Sequence, residues 1–125
     1  MRKLLVALAV GAFALMAVPT AGATVFSPDH PCHPHADPTV IVGTFGDDRL
    51  VGDHCDNILV GFTGNDVLIG RLGEDWLRGG RDNDRLRGID GEPDLLNGGG
   101  GFDRCRGDQF DNFRRCEVVT VVQVV

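Results

Sequence analysis

Acidic side chains recur at intervals of nine residues through the central part of this 125-residue chain. When each unit is counted from a glycine, its sixth place holds an aspartate or an asparagine. These residues are Asp48, Asn57, Asp66, Asp75, Asp84, Asp94 and Asp103. Carboxylate oxygens and the carbonyl oxygens of tight turns are the ligands that hard cations prefer. The spacing therefore predicts a lattice of cation sites.

Two further places of the nonapeptide are equally regular. The first place is glycine at Gly43, Gly52, Gly61, Gly70, Gly79, Gly88, Gly98 and Gly107. The eighth place is leucine from Leu50 to Leu96 and cysteine at Cys105. Glycine permits tight turns, and one inward-facing apolar side chain suits a very short strand. Because so small a unit cannot bury its leucine alone, the units must stack on one another.

This pattern predicts an all-β fold, namely a parallel β-roll (a right-handed β-solenoid) of about four 18-residue coils with disulfide-stapled ends. One nonapeptide supplies half a coil, so alternate units turn on opposite edges. The sixth-place residues then separate into two rows. The first row is Asp48, Asp66, Asp84 and Asp103, and the second is Asn57, Asp75 and Asp94. The functional interval is therefore two nonapeptides.

The segments GTFGDDRLV, GFTGNDVLI and GRLGEDWLR resemble the nonapeptide GGxGxDx-apolar-x of the haemolysin-type (RTX) calcium-binding repeats. The resemblance covers residues 43 to about 113. It implies a β-roll that holds Ca²⁺ between stacked turns. It also implies that the sixth-place aspartates bind the ion together with turn carbonyls, for which Gly46, Gly64 and Gly73 are the candidates.

The two rows differ in their expected affinity for calcium. The first row consists of aspartates only, so ions are expected to bridge Asp48 with Asp66 and Asp66 with Asp84. In the second row Asn57 carries no charge, so an ion is expected only between Asp75 and Asp94. The alternative is that these side chains only favour turns through local hydrogen bonds.

The last repeat, within GDQFDNFRRCE, can be read in two phases. Unbroken phase puts Asn112 in the sixth place and Arg114 in the inward place. A one-residue deletion puts Asp111 and Phe113 there instead. Because burying an unpaired arginine is costly, the second phase is predicted.

The first 23 residues have the pattern of a cleaved signal peptide. Arg2 and Lys3 precede an apolar run from Leu4 to Val18, and Ala21-Gly22-Ala23 supplies small residues for cleavage. The run is short for a membrane span of about 20 residues. We therefore expect a secreted protein with no membrane span after cleavage, and a retained anchor is the alternative.

Loss of Arg2 and Lys3 would leave ten of the twelve basic residues against all eighteen acidic ones. The mature net charge of −8 favours cations as partners and disfavours nucleic acid. No GxSxG or HExxH motif occurs, and each carboxylate belongs to a repeated turn. The sequence therefore predicts that the protein is not an enzyme.

Four cysteines in an exported chain favour two disulfides, and no CxxC spacing supports zinc. Of the three possible pairings, proximity favours Cys32–Cys55 and Cys105–Cys116, one near each end. Residues 24–42 are predicted to form a Pro/His-rich arm, and residues 114–125 a capping strand. The arm contains three histidines that suit zinc or copper, although an extended, proline-stiffened segment is expected instead. These histidines are His30, His33 and His35.

Outward-facing arginines form a patch on one predicted sheet. They are Arg85, Arg87, Arg104 and Arg106. The patch either pairs with turn aspartates or meets an anionic glycan or other cell-surface partner. Altogether the sequence predicts a secreted β-roll over residues 43–113 whose folding and stability are coupled to Ca²⁺. The alternative is a calcium-independent, disulfide-stapled structural or adhesive solenoid outside the cell.

Overall fold

The fold is that of a computed structural model, which describes residues 24–26, Cys32 and residues 37–125. The predicted signal peptide and the three histidines of the predicted arm lie outside the described residues. Within the described ranges the chain forms eleven β-strands and no helix. The strands build a parallel β-solenoid of about five turns, which confirms the predicted all-β roll. No helix that could span a membrane occurs among the residues that the structure describes.

Successive strands alternate between two parallel sheets. From the N-terminal end, sheet A contains β1 (Thr24–Phe26), β3 (Arg49–Val51), β5 (Val67–Ile69), β7 (Arg85–Arg87), β9 (Arg104–Asp108) and β11 (Val118–Val122). Sheet B contains β2 (Thr39–Val42), β4 (Asn57–Thr63), β6 (Trp76–Arg81), β8 (Leu95–Gly100) and β10 (Asn112–Arg114). Each strand pairs with the strand two places along the chain. Two nonapeptides therefore make one coil, as the repeat predicts.

The core is a column of eighth-place side chains between the sheets. Sheet A contributes Leu50, Leu68, Leu86 and Cys105, which are register partners in turn. Sheet B contributes Ile41, Leu59, Leu77 and Leu96 in the same way. Their neighbours along each strand point outward, so each strand gives the core one side chain. Full burial of one such side chain contributes roughly 1.5–3 kcal/mol, so this narrow core leaves much of the stability to the turns.

Both sheets extend beyond the first repeat glycine. Strand β2 pairs with β4 and places Ile41 in the core, and β1 pairs with β3. The coil therefore begins before residue 43, within the segment that the sequence assigns to an arm. That segment contains no repeat glycine or aspartate, so periodicity does not reveal its strands. At the other end β11 pairs with β9 and is the last strand of sheet A.

The last repeat adopts the predicted shifted phase. The Asp94 N–H donates to Oδ1 of Asp111 at 2.9 Å, as the sixth-place pattern requires. Phe113 packs against the core, whereas Arg114 is exposed. The phase with Asp111 in the sixth place is therefore confirmed.

Both predicted disulfides are present, one towards each end of the roll. Cys32 is bonded to Cys55, with their Cα atoms 5.5 Å apart, and Cys105 to Cys116, with theirs 5.9 Å apart. The first bond ties the N-terminal segment to the turn before β4. The second ties the core side of β9 to the chain that leads into β11. Both bonds limit the conformations of the unfolded chain near the two ends of the roll, which stabilises the folded state.

Candidate metal centre

Each sixth-place acid occupies the last turn position before a strand. Asp66 precedes β5 and Asp75 precedes β6, and their side chains are 1% and 0% exposed. Row 1 lies at the edge where sheet B leads into sheet A, and it consists of Asp48, Asp66, Asp84 and Asp103. Row 2 lies at the edge where sheet A leads into sheet B, and it consists of Asn57, Asp75, Asp94 and Asp111. The structure therefore separates the repeat into two rows of buried turns.

One carboxylate oxygen of each acid links neighbouring coils. In row 1 the Asp48 N–H donates to Oδ1 of Asp66, and the Asp66 N–H donates to Oδ1 of Asp84, both at 2.8 Å. In row 2 the Asp75 N–H donates to Oδ1 of Asp94, also at 2.8 Å. Each acid thus fixes the turn one coil before it. The contacts follow an interval of 18 residues, or 19 across the insertion at Pro93.

In five of these turns the other carboxylate oxygen does not link neighbouring coils. This oxygen, Oδ2, is buried and accepts no hydrogen bond from any described residue. The five acids are Asp66, Asp75, Asp84, Asp94 and Asp103. Nearly all buried polar atoms in folded proteins are satisfied, and a buried carboxylate without a partner is costly. These oxygens therefore need a partner that is not a protein group.

Backbone oxygens converge on the same places as Oδ2. A Cβ added at Gly79 would collide with Oδ2 of Asp84 and would lie 2.6 Å from the carbonyl oxygen of Gly98. A Cβ added at Gly61 would collide with Oδ2 of Asp66 and would lie 2.5 Å from the carbonyl oxygen of Gly79. Each of these two turns thus brings together a carboxylate oxygen and a carbonyl oxygen from the next coil. Such a donor set fits calcium, which takes hard oxygen ligands.

The electrostatics of the turns also favour a cation. Burial raises the pKa of Asp66 to about 6, of Asp84 and Asp94 to about 7, and of Asp75 to about 8. Desolvation is the largest cause, a backbone hydrogen bond opposes it, and neighbouring carboxylates add to the rise. Across residues 37–125 no basic side chain forms an ion pair with these four groups. A bound cation would supply the missing positive charge.

Three turns at the ends of the rows are satisfied differently. In these turns a side-chain oxygen of the sixth-place residue accepts a hydrogen bond from a backbone N–H of the same turn. Thr44 N–H donates to Oδ2 of Asp48, and Asp108 N–H donates to Oδ2 of Asp111 at 2.6 Å. The third case is Asn57, whose Oδ1 accepts from the Asp53 N–H at 2.7 Å. We call these three the end turns and the five with a buried, unsatisfied Oδ2 the interior turns.

The second place of the unit distinguishes the two kinds of turn. In four interior turns this residue is left-handed, with φ of 82° at Phe62, 90° at Arg71, 127° at Gly80 and 113° at Gly99. In the end turns it is Thr44, Asp53 or Asp108, none of which is left-handed. The fifth interior turn, that of Asp94, contains the insertion at Pro93 and a second place that is not left-handed.

A local side-chain turn holds the backbone of every end turn. Thr44 Oγ1 accepts from the Gly46 N–H at 2.9 Å, and Asp53 Oδ1 accepts from the Cys55 N–H at 2.8 Å. Asp108 Oδ1 accepts from the Phe110 N–H at 2.9 Å. Threonine and aspartate favour such turns, so their presence directly after the first glycine is a sequence signal for an end turn.

The sequence did not indicate two other acids at these sites. Glu117 ends row 1, because its Oε2 accepts from the Asp103 N–H at 2.7 Å. It follows no repeat glycine and therefore lies outside the nonapeptide pattern. Asp90, in the turn of Asp94, contributes a further buried Oδ2 that accepts no hydrogen bond from a described residue. Neighbouring acids and burial raise its pKa as well, with desolvation the larger cause.

The candidate turn glycines stack directly on the coil before them. Gly64 and Gly73 are left-handed, with φ of 107° and 102°. A Cβ on Gly64 would lie 2.7 Å from the carbonyl oxygen of Gly46, so only glycine fits this close approach. The role of these three carbonyls as ligands stays a prediction. The predicted role of Asp48 as a ligand also stays a prediction, and the hydrogen bond that its second oxygen accepts from the Thr44 N–H favours a locally satisfied turn instead.

Another group of potential ligands lies at the N-terminal disulfide. One ligand atom each from Cys32, His54 and Cys55 falls within 4.8 Å of the others. The two sulfurs are bonded to each other, however, and are not thiolates. A single imidazole remains, so this group does not fit a metal ion.

The comparisons with known proteins agree with the turn geometry. The family model described as RTX calcium-binding nonapeptide repeat (4 copies) matches residues 38–68 and 60–92. Searches of curated proteins and of solved structures found no match to the chain. The repeats within residues 38–92 therefore match the RTX calcium-binding nonapeptide repeat family, whose members generally bind calcium. The family and the solenoid together fit a calcium-binding β-roll.

Proposed function

We propose that the protein is a secreted calcium-binding β-roll whose folding and stability are coupled to Ca²⁺ in the interior turns. The observation that carries this proposal is the set of five buried Oδ2 atoms that accept no hydrogen bond from the described residues. Each belongs to an acid whose Oδ1 already holds the neighbouring coil. An ion at these oxygens would therefore act directly on the stacking of the turns.

The coupling follows from what the metal-free fold must tolerate. Folding packs a chain of net negative charge around a narrow core and buries rows of acids with raised pKa values. An ion that binds only the folded chain stabilises it by about 2.7 kcal/mol per site at a concentration of 100 times its dissociation constant. Because unfolded turns do not preform a site, this binding energy becomes folding energy.

Secretion and a non-catalytic role complete the proposal. The N-terminal segment has the composition of a signal peptide, and the two disulfides suit an oxidising compartment. No membrane span is expected after cleavage. The acids of the turns accept hydrogen bonds from backbone N–H groups of the neighbouring coil. An ion bound to them would therefore have a structural role and not an enzymatic one.

Circular dichroism of the oxidised mature chain tests the proposal. Spectra and melting curves are recorded with a chelator, with millimolar Ca²⁺ and with the same concentration of Mg²⁺. Calcium should increase the β signal and raise the melting temperature by roughly 4–8 °C for each kcal/mol gained. Magnesium should do much less, because it demands a stricter octahedral shell and dehydrates reluctantly. A spectrum and melting temperature unmoved by calcium would contradict the proposal.

A calcium-independent structural or adhesive solenoid is the second candidate. It is favoured by the hydrogen bonds from backbone N–H groups to Oδ1, which link the coils without an ion, and by the disulfides. The same experiment separates the two functions. This candidate predicts a folded, high-melting chain in the chelator, whereas the calcium-coupled roll predicts partial or complete unfolding there.

The exposed arginines extend the proposal to a partner, for which an anionic glycan or another anionic cell-surface component fits best. On sheet A two pairs of arginines lie in register on adjacent strands. The pairs are Arg85 with Arg104 and Arg87 with Arg106. All four are exposed, and none forms an ion pair with a described residue. Guanidinium groups of this kind suit carboxylate or sulfate groups.

A further inference from the structure

A groove of about 470 Å³ lies on the outer side of sheet B, at the edge of row 1. Its floor includes glycines at the ends of adjacent strands, among them Gly80 and Gly100. A Cβ added at Gly100 would meet no atom within 4 Å, so the space above it is open. The volume is within the range of small-ligand sites.

One wall of the groove is aromatic. Phe45 is 80% exposed and Phe62 is 45% exposed, and their ring centroids are 6.0 Å apart with a tilt of 39°. The two turns that present them are joined, since Thr63 Oγ1 donates to the Phe45 carbonyl at 2.9 Å. Phe62 has a φ of 82°, the left-handed conformation that the second place has in most interior turns. The exposed ring faces suit the C–H faces of a sugar.

The opposite wall is basic and polar. Arg78, Arg81 and Arg115 line the groove, and all three are exposed. None of them forms an ion pair with any residue in the described part of the chain. Asn97 is the register partner of Arg78, and its buried Oδ1 accepts no hydrogen bond from a described residue. The guanidinium groups suit bidentate bonds to an anion, and the amide oxygen can accept a hydroxyl proton.

We propose that this groove binds an acidic sugar residue, carrying a carboxylate or a sulfate, of an extracellular polysaccharide. The arginines would bind the anionic group, Asn97 would accept from a hydroxyl, and the phenylalanines would stack on the ring. A free inorganic anion would use only the basic wall. Beside the arginine pairs of sheet A, the Phe102 ring already lies under the Arg104 guanidinium, 5.5 Å from its centroid, so it offers less free ring face to a sugar. The inference extends the proposed partner and rests on that part of the proposed function.

Calorimetric titration of the oxidised, calcium-loaded chain tests the groove. The probes are a heparin-derived oligosaccharide, the neutral oligomer maltohexaose and inorganic sulfate. Heparin oligosaccharide should bind most tightly in the groove, and the other two should bind at least about tenfold more weakly, a difference of about 1.4 kcal/mol. Equal binding of sulfate and heparin oligosaccharide would overturn the sugar assignment.

Three variants locate the binding. The double variant Arg78→Gln/Arg81→Gln should weaken heparin-oligosaccharide binding by about tenfold or more. Its matched control, Arg49→Gln/Arg71→Gln, makes the same charge change away from the groove and from the arginine pairs of sheet A, and it should alter binding by less than about twofold. Gly100→Leu should also weaken binding, because the new side chain would fill open space in the groove. Circular dichroism verifies that each variant is folded.

The outcomes distinguish binding in the groove from nonspecific electrostatic binding. Equal losses in the two arginine double variants, or full binding by Gly100→Leu, would overturn the proposal. A single-stranded oligonucleotide that binds as tightly, with the same dependence on the variants, would also overturn it. Calcium titration of the same samples keeps the two proposals apart, because an intact calcium response without sugar binding contradicts the groove only.

Discussion

The interior turns and the end turns use the same nonapeptide but satisfy their acids in different ways. In the end turn of Asp48, the second carboxylate oxygen accepts the Thr44 N–H. In the interior turn of Asp84, the equivalent oxygen accepts no hydrogen bond from the described residues. The second place is left-handed Gly80 in the interior turn and Thr44, which is not left-handed, in the end turn. The repeat thus contains two turn designs: in one the second oxygen accepts a hydrogen bond from its own turn, and in the other it accepts none from the described residues.

The position of each design within the stack explains the difference. Within residues 37–125, three sixth-place turns have a neighbouring turn of their row on one side only, namely the first turn of each row and the last turn of row 2. Asp48, Asn57 and Asp111 occupy those three positions, and their side-chain oxygens are satisfied locally. Asp103 is followed by Glu117 in row 1, and it retains the interior design. The end turns therefore satisfy their side-chain oxygens with protein groups.

The largest expected effect separates the two designs within one row. Asp84→Asn keeps an oxygen for the Asp66 N–H but removes the charge of an interior turn. We expect it to lose the stabilisation of at least one site, about 2.7 kcal/mol at 100 times the dissociation constant. Without calcium it should be at least as stable as the parent, because an uncompensated buried charge has gone. Chemical denaturation with and without Ca²⁺ measures both quantities.

Asp48→Asn is the matched control. Its amide oxygen can still accept the Thr44 N–H, as Oδ1 of Asn57 accepts the Asp53 N–H in the equivalent end turn, so stability should change by less than about 1 kcal/mol with and without calcium. The calcium-induced gain in the free energy of unfolding should stay close to that of the parent. If Asp48→Asn abolishes this gain as completely as Asp84→Asn does, the two designs are not functionally different.

A smaller effect is expected from pH, since solvent screens part of the charge in such narrow turns. The raised pKa values mean that the metal-free folded chain binds more protons than the unfolded chain above about pH 4. The free energy of unfolding in a chelator should therefore be highest below pH 3.8. It should fall as the pH rises through about 6, the pKa of Asp66, and about 8, the pKa of Asp75.

Calcium should reverse this trend, because the ion competes with protons for the same oxygens. With saturating Ca²⁺, the melting temperature should rise between about pH 5 and pH 8, and the calcium affinity should rise with it. Asp75→Asn should flatten the upper part of the metal-free profile. Parallel profiles with and without calcium would show that the interior acids are not the binding groups.

The smallest predicted effect concerns the second place. Phe62→Gly relieves a left-handed aromatic residue in an interior turn, so stability should change by less than about 1 kcal/mol, towards greater stability. Thr44→Gly removes a side-chain turn from an end turn and should cost about 1 kcal/mol. Thermal unfolding in calcium compares the two. Destabilisation of the same size in both variants would contradict the role assigned to the second-place backbone.

Periodicity made the fold predictable, because glycine, aspartate and leucine at fixed places determine turns, rows and core together. The shifted phase of the last repeat followed from the cost of burying Arg114. Strand β2 was not predicted, since its pairing comes from a β-rich segment that lacks the motif. The two turn designs were not predicted either. They depend on the backbone φ angle at the second place of the unit, for example at Phe62 and Thr44. The residue type at the sixth place does not indicate this angle.

Anomalous diffraction from crystals of the oxidised chain grown with Ca²⁺ would test the central claim most directly. The account predicts anomalous peaks beside Oδ2 of the interior acids. These acids are Asp66, Asp75, Asp84, Asp94 and Asp103. It predicts no peak beside the side chains of Asp48, Asn57 or Asp111. Peaks confined to the end turns, or fully ordered interior turns without any peak at saturating calcium, would contradict it.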